Sequence, residues 1–346
     1  MGLAAQMIGP LRASIAKLLK TKPEALDAKL HSTLPGSLMK RLSRWSLLFP
    51  LITCVGMAQT SRTSPTSADL HVHSDLVLIG MLVTDSRGTP VTDLDASRFH
   101  LFEDGREQVI RSCASEDVPV SVGLVLDTSG SMTTKLAWLK SAAIQFARAS
   151  NPGDEYLLIE FHQRPRVILP FTADVEQVVD AIRRLEPGGS TPLFDAVHLA
   201  VGEMRNARFA RRALLIISDG MDNHSRYTGR ETRRLVSEVD FPIYSVNLWQ
   251  RQISGNRFAI QRRNPEILEA LSTPTGGREF PVSEPRLLAS VTESISSEIR
   301  QEFILGYAPS NHTLDGKFHK VRVRVEPAQK QHLKVSNRTG YYAPAQ

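Results

Sequence analysis

The sequence predicts an α/β fold, in which a doubly wound, mostly parallel, Rossmann-like sheet is inserted between two strand-rich segments. Three observations support this. Between residues 118 and 285, near-continuous apolar runs alternate with amphipathic segments, as in strands covered by helices on both faces. Residues 72–115 and the C-terminal part of residues 286–346 instead show the period-two alternation of half-buried strands. Neither flank has enough strands for a stable sandwich, so we expect both to join in one small β-sandwich.

The elements of the α/β unit follow one another along the chain. We predict strands over 120–127, 155–162, 166–171, 212–219 and 242–249, and helices over 135–149, 174–185, 193–207, 229–240 and 265–277. In an open sheet of this kind, ligands bind outside the carboxyl ends of the strands.

The flanking segments carry turn and strand signals. In the N-terminal segment, a strand ends in a turn at Asp85–Gly88, and a hairpin turns at Asp104–Gly105. The C-terminal segment begins with a connecting helix near 285–301. Strands are predicted after it over 302–309, 317–327 and 332–344.

The formal net charge of +6 comes from the N-terminal region. Residues 1–58 hold eight of the 42 basic residues and two of the 36 acidic ones, so the remaining chain balances at 34 of each. This balance argues against a nucleic-acid partner. Within residues 39–58, a basic start, an apolar stretch and small residues up to Ala58 are typical of a secretory signal peptide. We therefore expect export to the periplasm, the cell envelope or the medium, with residues 59–71 as a linker.

The position of this signal implies that Met39 is the start of translation and that residues 1–38 are an upstream extension. An uncleaved membrane anchor and a lipid anchor at Cys54 are the alternatives. The apolar stretch is shorter than the roughly 20 residues of a membrane span, and Thr53 is a poor residue before a lipidated cysteine. We expect no membrane span after cleavage, and Cys113 would then have no intrachain disulfide partner.

Three loops that follow predicted strands or precede a helix carry oxygen ligands. Asp127, Ser129 and Ser131 follow the first strand, Thr191 lies in a glycine-rich turn, and Asp219 ends the strand over 212–219. All three loops should meet at one edge of the sheet. Two carboxylates and three hydroxyls suit a hard divalent cation, Mg²⁺ first and Mn²⁺ or Ca²⁺ as alternatives. Such a site could keep one coordination position open for an Asp or Glu of a protein partner.

Other interpretations of these residues compete with the metal site. Alone, the Asp-x-Ser-x-Ser pattern would be a helix cap or a turn, and it is the conjunction of three loops that favours a metal site. A serine hydrolase would use Ser129, but the sequence has no G-x-S-x-G elbow there, and His224 is the one histidine near the loops. His71 and His73 are too few ligands for a structural zinc site.

The three motifs DTSGS, GGST and SDG resemble the metal-ion-dependent adhesion site of von Willebrand factor type A domains, over roughly residues 118–285. By position, the resemblance implies that Ser129, Ser131 and Thr191 are hydroxyl ligands, and that Asp127 and Asp219 act directly or through water. Asp222 extends the third loop and is a candidate to support a ligand.

The flanking motifs extend this resemblance. The stretches RFHLFEDGREQVI and GYYAP are similar to the A-domain-related proteins abundant in acidobacteria. The resemblance implies an exported, non-enzymatic module that binds protein through the metal. The alternative is a structural or assembly subunit of an envelope complex, in which the metal only stabilises the fold.

Overall fold

The computed structural model describes residues 76–115, 118–149, 151–249, 265–310, 315–326 and 332–343. The expected signal peptide, the linker, Cys54, His71 and His73 lie outside the described residues. No helix within these ranges has both the length and the apolar character needed to cross a membrane.

The described strands and helices are numbered in chain order. The strands are β1 (Val77–Thr84), β2 (Phe99–Glu103), β3 (Arg106–Gln108), β4 (Ile110–Ala114), β5 (Ser121–Asp127), β6 (Glu155–Phe161), β7 (Pro165–Thr172), β8 (Arg212–Ser218), β9 (Ile243–Leu248), β10 (Glu279–Val282), β11 (Phe303–Tyr307), β12 (Phe318–Val325), β13 (Lys334–Asn337) and β14 (Gly340–Tyr342). The helices are α1 (Leu136–Arg148), α2 (Val175–Arg183), α3 (Leu193–Glu203), α4 (Gly229–Glu238), α5 (Pro265–Ser272) and α6 (Leu288–Arg300).

A six-stranded sheet forms the centre of the α/β unit. Its strand order is β10-β9-β8-β5-β6-β7, and all neighbours are parallel except β7, which returns antiparallel to β6. The chain continues from β5 to β6 on one side and later enters β8 on the other side. The strand order therefore reverses at β5, and the loops after β5 and β8 border the crevice where such sheets bind ligands.

Helices cover both faces of this sheet and create two hydrophobic cores. One core lies under α1, α2 and α6, and the other under α3, α4 and α5. In β5, Leu124 and Leu126 belong to the first core and Val125 to the second, and all three are fully buried. Burial on both faces explains why this strand is an almost unbroken apolar run. The predicted doubly wound, mostly parallel sheet is confirmed.

The flanking strands build two antiparallel sheets, in the orders β13-β1-β11-β4 and β14-β12-β2-β3. Both sheets contribute to one core, which includes Ile79, Leu101, Leu305 and Val321. β1 pairs with β11 and β13, and β2 pairs with β12, so in each sheet strands from the two ends of the chain are paired directly. The expected pairing of the two flanking segments is therefore confirmed.

Three predicted elements differ from the structure. The helix predicted over 265–277 ends at Ser272, because Pro274 cannot continue a helix and Gly276 adopts a positive φ of 90°. β10 has no counterpart among the predicted strands, since four residues give too short a pattern. The segment 332–344 was predicted to be strand-rich, and it divides into β13 and β14, which belong to different sheets.

Candidate metal centre

Backbone hydrogen bonds hold the first and second predicted ligand loops together. Gly188 N donates to Thr128 O at 2.8 Å, and Gly130 N donates to Gly189 O at 3.1 Å. Gly189 has a φ of 75°, and a β-carbon there would lie 2.7 Å from Cγ of Gln163. Glycine at this position therefore allows the positive φ and leaves room for the neighbouring β6–β7 turn, to which Gln163 belongs.

The second and third loops are joined in the same way. Thr191 N donates to Asn223 Oδ1 at 2.8 Å, and Asn223 N donates to Thr191 O at 3.1 Å. Thr191 is 2% exposed, and its hydroxyl makes no hydrogen bond with the described residues. The backbone of Thr191 is thus fixed, while its hydroxyl oxygen stays free to coordinate a cation.

The first loop places two hydroxyls next to one another. Ser129 is fully buried and Ser131 is exposed, and their Oγ atoms are 3.2 Å apart. Asp127 Oδ1 accepts a hydrogen bond from Ser129 N at 3.0 Å. Neighbouring oxygen ligands around Mg²⁺ at 2.0–2.1 Å stand about 3 Å apart in an octahedron, so the serine spacing suits a single ion.

Asp127 lies at the base of the site and is fully buried. Its Oδ2 accepts a hydrogen bond from Ser218 Oγ at 2.6 Å. Burial raises the pKa of Asp127 to about 6, and the charge of Asp219 adds to this effect, whereas the hydrogen bonds from Ser129 and Ser218 oppose it. A cation bound nearby would therefore stabilise the ionised form of Asp127.

Asp219 is paired on one side and unpartnered on the other. Its Oδ2 accepts a hydrogen bond from Lys135 Nζ at 2.7 Å, and both side chains are about 95% buried. The same ammonium group lies 3.3 Å from the carbonyl oxygen of Leu248. Asp219 Oδ1, by contrast, is buried and has no hydrogen-bond partner among the described residues.

The residues present fit a divalent cation. Two buried carboxylates face one ammonium group, which leaves a net negative charge at the edge of the sheet. Buried polar atoms are nearly always satisfied, so the orphaned Asp219 Oδ1 marks a position for a cation or a cation-bound water. The five predicted residues thus lie on three joined loops; their role as ligands remains a prediction.

Three residues of this site were not among the predicted ligands. Lys135 and Ser218 orient the two carboxylates, and Asn223 orients Thr191. Among the described residues, Asp222 makes no hydrogen bond to any of the five predicted ligands. Its Oδ1 accepts hydrogen bonds from Phe194 N at the start of α3 and from the hydroxyl of Ser225.

The hydrolase interpretation concerns the surroundings of Ser129 within the described residues. No histidine nitrogen hydrogen-bonds to Ser129 there, and its described side-chain contact is the hydroxyl of Ser131. His224 is an exposed residue on the third loop. A nucleophilic serine needs an adjacent base.

A cleft of about 660 Å³ lies beside the site. Its lining includes Arg164 from the turn between β6 and β7, and His224 and Arg226 from the third loop. Asn223, which bonds Thr191, immediately precedes His224. None of the five candidate ligands lines this cleft, which is connected to them through the third loop.

Comparison with known proteins agrees with the central part of this description. Residues 122–221 match the sequence model of the von Willebrand factor type A domain. An uncharacterized protein of Borreliella burgdorferi is 19% identical over 200 residues, which cover 52% of this chain and 57% of that protein. The chain thus spans little more than half of the length of this relative.

Several solved structures are similar at low identity. A von Willebrand factor type A protein from Catenulispora acidiphila is 14% identical with a TM-score of 0.46, covering 78% of this chain and 74% of that one. BatB from Bacteroides thetaiotaomicron is 16% identical with a TM-score of 0.43, covering 52% and 98%. The vWF domain of the type V pili tip protein Mfa5 from Porphyromonas gingivalis is 13% identical with a TM-score of 0.43, covering 53% and 95%.

Proposed function

Because the chain carries a von Willebrand factor type A domain, matched over residues 122–221, we propose that it is an exported, non-enzymatic module that binds a protein partner through a divalent cation. Mg²⁺ is the cation that the oxygen ligands favour. Ser129, Ser131 and Thr191 would hold it through hydroxyls, and Asp127 and Asp219 directly or through water. When bound, the cation supplies a coordination position that an Asp or Glu of the partner can complete.

The observation that carries this proposal is the unpartnered oxygen of Asp219. A buried carboxylate oxygen without a donor costs free energy unless a cation or its water occupies the position. The hydroxyls of Ser129 and Ser131 lie at a suitable mutual distance, and the hydroxyl of Thr191 is not used by the described protein atoms. These features together favour a cation over a capped turn.

The surroundings of the site favour an acidic partner. Arg164 is exposed and makes no ion pair with the described residues, and His224 is exposed beside it in the cleft. Arg226 pairs with the buried Asp195 at 3.2 Å through Nε, while its side chain stays 85% exposed. A partner with several carboxylates would find one position at the cation and complementary charge in the cleft.

Calorimetric titration of the full chain with Mg²⁺ tests the site directly. We expect one equivalent to bind to the wild type, and affinity to fall at least about tenfold in Asp127→Ala and Ser129→Ala. Thr133→Ala is the matched control, because its hydroxyl donates to Gly130 O on the outside of the loop. Equal affinity in the wild type and Ser129→Ala would refute the assignment.

A second experiment tests recognition of carboxylates. Immobilised full chain should retain poly-glutamate but not poly-glutamine in Mg²⁺, and EDTA or Thr191→Ala should abolish retention. Arg164→Gln should weaken retention and make it less sensitive to salt, because one attractive charge is lost. Retention that survives EDTA would contradict metal-bridged binding. If Mg²⁺ binds and stabilises the fold without any retention, the assembly role of the domain is the better explanation.

A further inference from the structure

A second group of metal-ligating side chains lies in the β-sandwich, in a separate part of the fold from the site above. Glu103 is the last residue of β2, Asp104 follows in the turn to β3, and His319 is the second residue of β12. The register of β2 and β12 brings them together, with Glu103 opposite Val321. The group therefore joins the two segments that flank the α/β unit.

The backbone fixes Asp104 in this group. Asp104 has a positive φ of 47°, as the tight turn before Gly105 requires. Its N–H donates to Lys320 O at 2.9 Å, and its Oδ1 accepts a hydrogen bond from Lys320 N at 2.9 Å. These bonds aim the other carboxylate oxygen, Oδ2, at the ring of His319.

The candidate ligand atoms of the three residues lie close together. His319 Nδ1 is 2.8 Å from Asp104 Oδ2 and 3.4 Å from Glu103 Oε1. One ligand atom from each of the three residues lies within 4.8 Å of the others. Zinc bonds of 2.0–2.2 Å to nitrogen and oxygen place tetrahedral ligands about 3.3–3.6 Å apart, so the distance to Glu103 suits one ion, whereas Asp104 Oδ2 is at hydrogen-bond distance from Nδ1 and would have to move away by about 0.5 Å. Glu103 and His319 are buried, and the half-exposed side chain of Asp104 leaves one side open for entry.

The histidine is held as metal-bound histidines are. Its Nε2 lies 3.3 Å from Asp315 Oδ1, so the Nε2 proton can point to that carboxylate. Nδ1 then faces two further carboxylates, and either its own proton or a bound cation can lie between them. A carboxylate behind a ligating histidine is the usual outer partner of a metal site.

Glu103 provides a second, independent observation. Its side chain is 4% exposed, and Oε2 is buried without a hydrogen bond to the described residues. Tyr341 donates to the other oxygen, Oε1, at 3.3 Å and stacks on the ring of His319. The hydroxyl of Tyr307 also lies close to this carboxylate, which has one oxygen available for a further donor or a cation.

We propose that Glu103, Asp104 and His319 form a second metal site for a transition metal of the Zn²⁺ class, with Asp315 orienting the histidine. The imidazole nitrogen and mixed ligand set favour Zn²⁺ over Mg²⁺, which prefers oxygen ligands alone. The ion would tie the β2–β3 turn to β12, which lies more than 200 residues later in the chain. This site does not depend on the function proposed above.

The test is titration of the chelator-treated full chain with ZnCl₂ by calorimetry and with CoCl₂ by visible spectroscopy. We expect one tight equivalent of Zn²⁺ and the d–d bands of a Co²⁺ ion with nitrogen and carboxylate ligands. His319→Gln should abolish both, and Asp315→Asn should weaken Zn²⁺ binding about 10–100-fold. Asp127→Ala should leave Zn²⁺ binding unchanged, which separates this site from the Mg²⁺ site.

The matched control is His100→Gln. His100 also lies between two carboxylates, with Nδ1 2.6 Å from Glu107 Oε1 and Nε2 3.3 Å from Glu326 Oε1, but it is on the exposed side of β2. The His100→Gln variant should therefore bind Zn²⁺ with the affinity of the wild type. If His319→Gln fails to fold, Asp315→Asn decides the matter, because Asp315 is exposed and outside the core. A wild type without a tight equivalent, or Asp315→Asn with unchanged affinity, would overturn the proposal and leave an ion-pair cluster.

Discussion

The buried pair of Lys135 and Asp219 allows a quantitative test of the candidate metal centre. Substitution of Lys135 by Met keeps the aliphatic part of the side chain and removes the ammonium group 2.7 Å from Asp219 Oδ2. Both side chains are about 95% buried, so water cannot replace the lost charge. Removal of one partner from a buried ion pair costs about 3–5 kcal/mol, a large part of the stability of a typical domain.

The cost should depend on Mg²⁺. In EDTA, Lys135→Met leaves the carboxylate of Asp219 buried without any counter-charge. With Mg²⁺ at 100 times its dissociation constant, binding to the folded state contributes about 2.7 kcal/mol. The variant has also lost a positive charge that repels the cation, so it should bind Mg²⁺ more tightly than the wild type and recover part of the loss.

Urea unfolding of the full chain, with and without Mg²⁺, measures both effects. Lys140→Met, in the helix that follows Lys135, is the matched control, since among the described residues its ammonium group bonds the carbonyl of Arg183 at the surface. This control should lose less than about 1 kcal/mol. The double variant Lys135→Met with Asp219→Asn should be more stable in EDTA than Lys135→Met alone, because no buried charge remains unpaired.

Two results would refute this reasoning. A loss below about 1 kcal/mol for Lys135→Met in EDTA would show that the pair is not buried as described. An equal loss with and without Mg²⁺ would show that no cation binds beside Asp219.

Three further predictions concern the fold. Burial raises the pKa of Glu302 to about 7 from its ordinary 4.5, so the folded state holds this proton more tightly than the unfolded state and stability should fall as the pH rises from 4.5 to 7. Glu302→Gln should remove this loss of stability. In urea unfolding, the free energy of unfolding of the variant relative to the wild type should be up to about 3 kcal/mol higher at alkaline pH than at acid pH. Identical pH profiles for the two proteins would contradict this prediction. Phe303 is 1% exposed and its ring centroid is 5.2 Å from that of Phe99 in the sandwich core, so Phe303→Ala should cost about 3–5 kcal/mol in thermal or urea unfolding. A β-carbon at Gly277 would lie 2.1 Å from the backbone oxygen of Ile243; Gly277→Ala should therefore cost about 1–3 kcal/mol, measured in the same way, and a neutral effect would mean that the backbone yields easily.

Local signals predicted the position of the candidate ligands because the rule that connects them is general. Asp127 and Asp219 end parallel strands, and the carboxyl ends of such strands share one edge of the sheet. The turn at Asp104–Gly105 was also predicted, since an Asp-Gly pair between alternating strands adopts the positive φ values of a tight hairpin. In these cases, a few neighbouring residues are enough to determine the local structure.

The parts that the sequence did not predict depend on long-range contacts. Lys135 lies before a helix like many surface lysines, and only the folded chain brings its ammonium group to Asp219, 84 residues away. Likewise, nothing near Glu103 indicates that His319 will lie beside it. Pairings across such distances require the register of complete sheets, which no local pattern contains.

The arrangement of the sandwich also imposes an order on folding. β1 hydrogen-bonds only to β11 and β13 among the described strands, and both follow the complete α/β unit in the chain. The strands and helices from β5 to α6 are consecutive and can close their two cores without either flank. Distant pairings form slowly. Until they form, both backbone edges of β1 are unpaired, and its apolar side chains such as Ile79 are exposed. We therefore expect the sandwich to close last, and a nascent chain that stops short of β11 to carry a strand prone to aggregation.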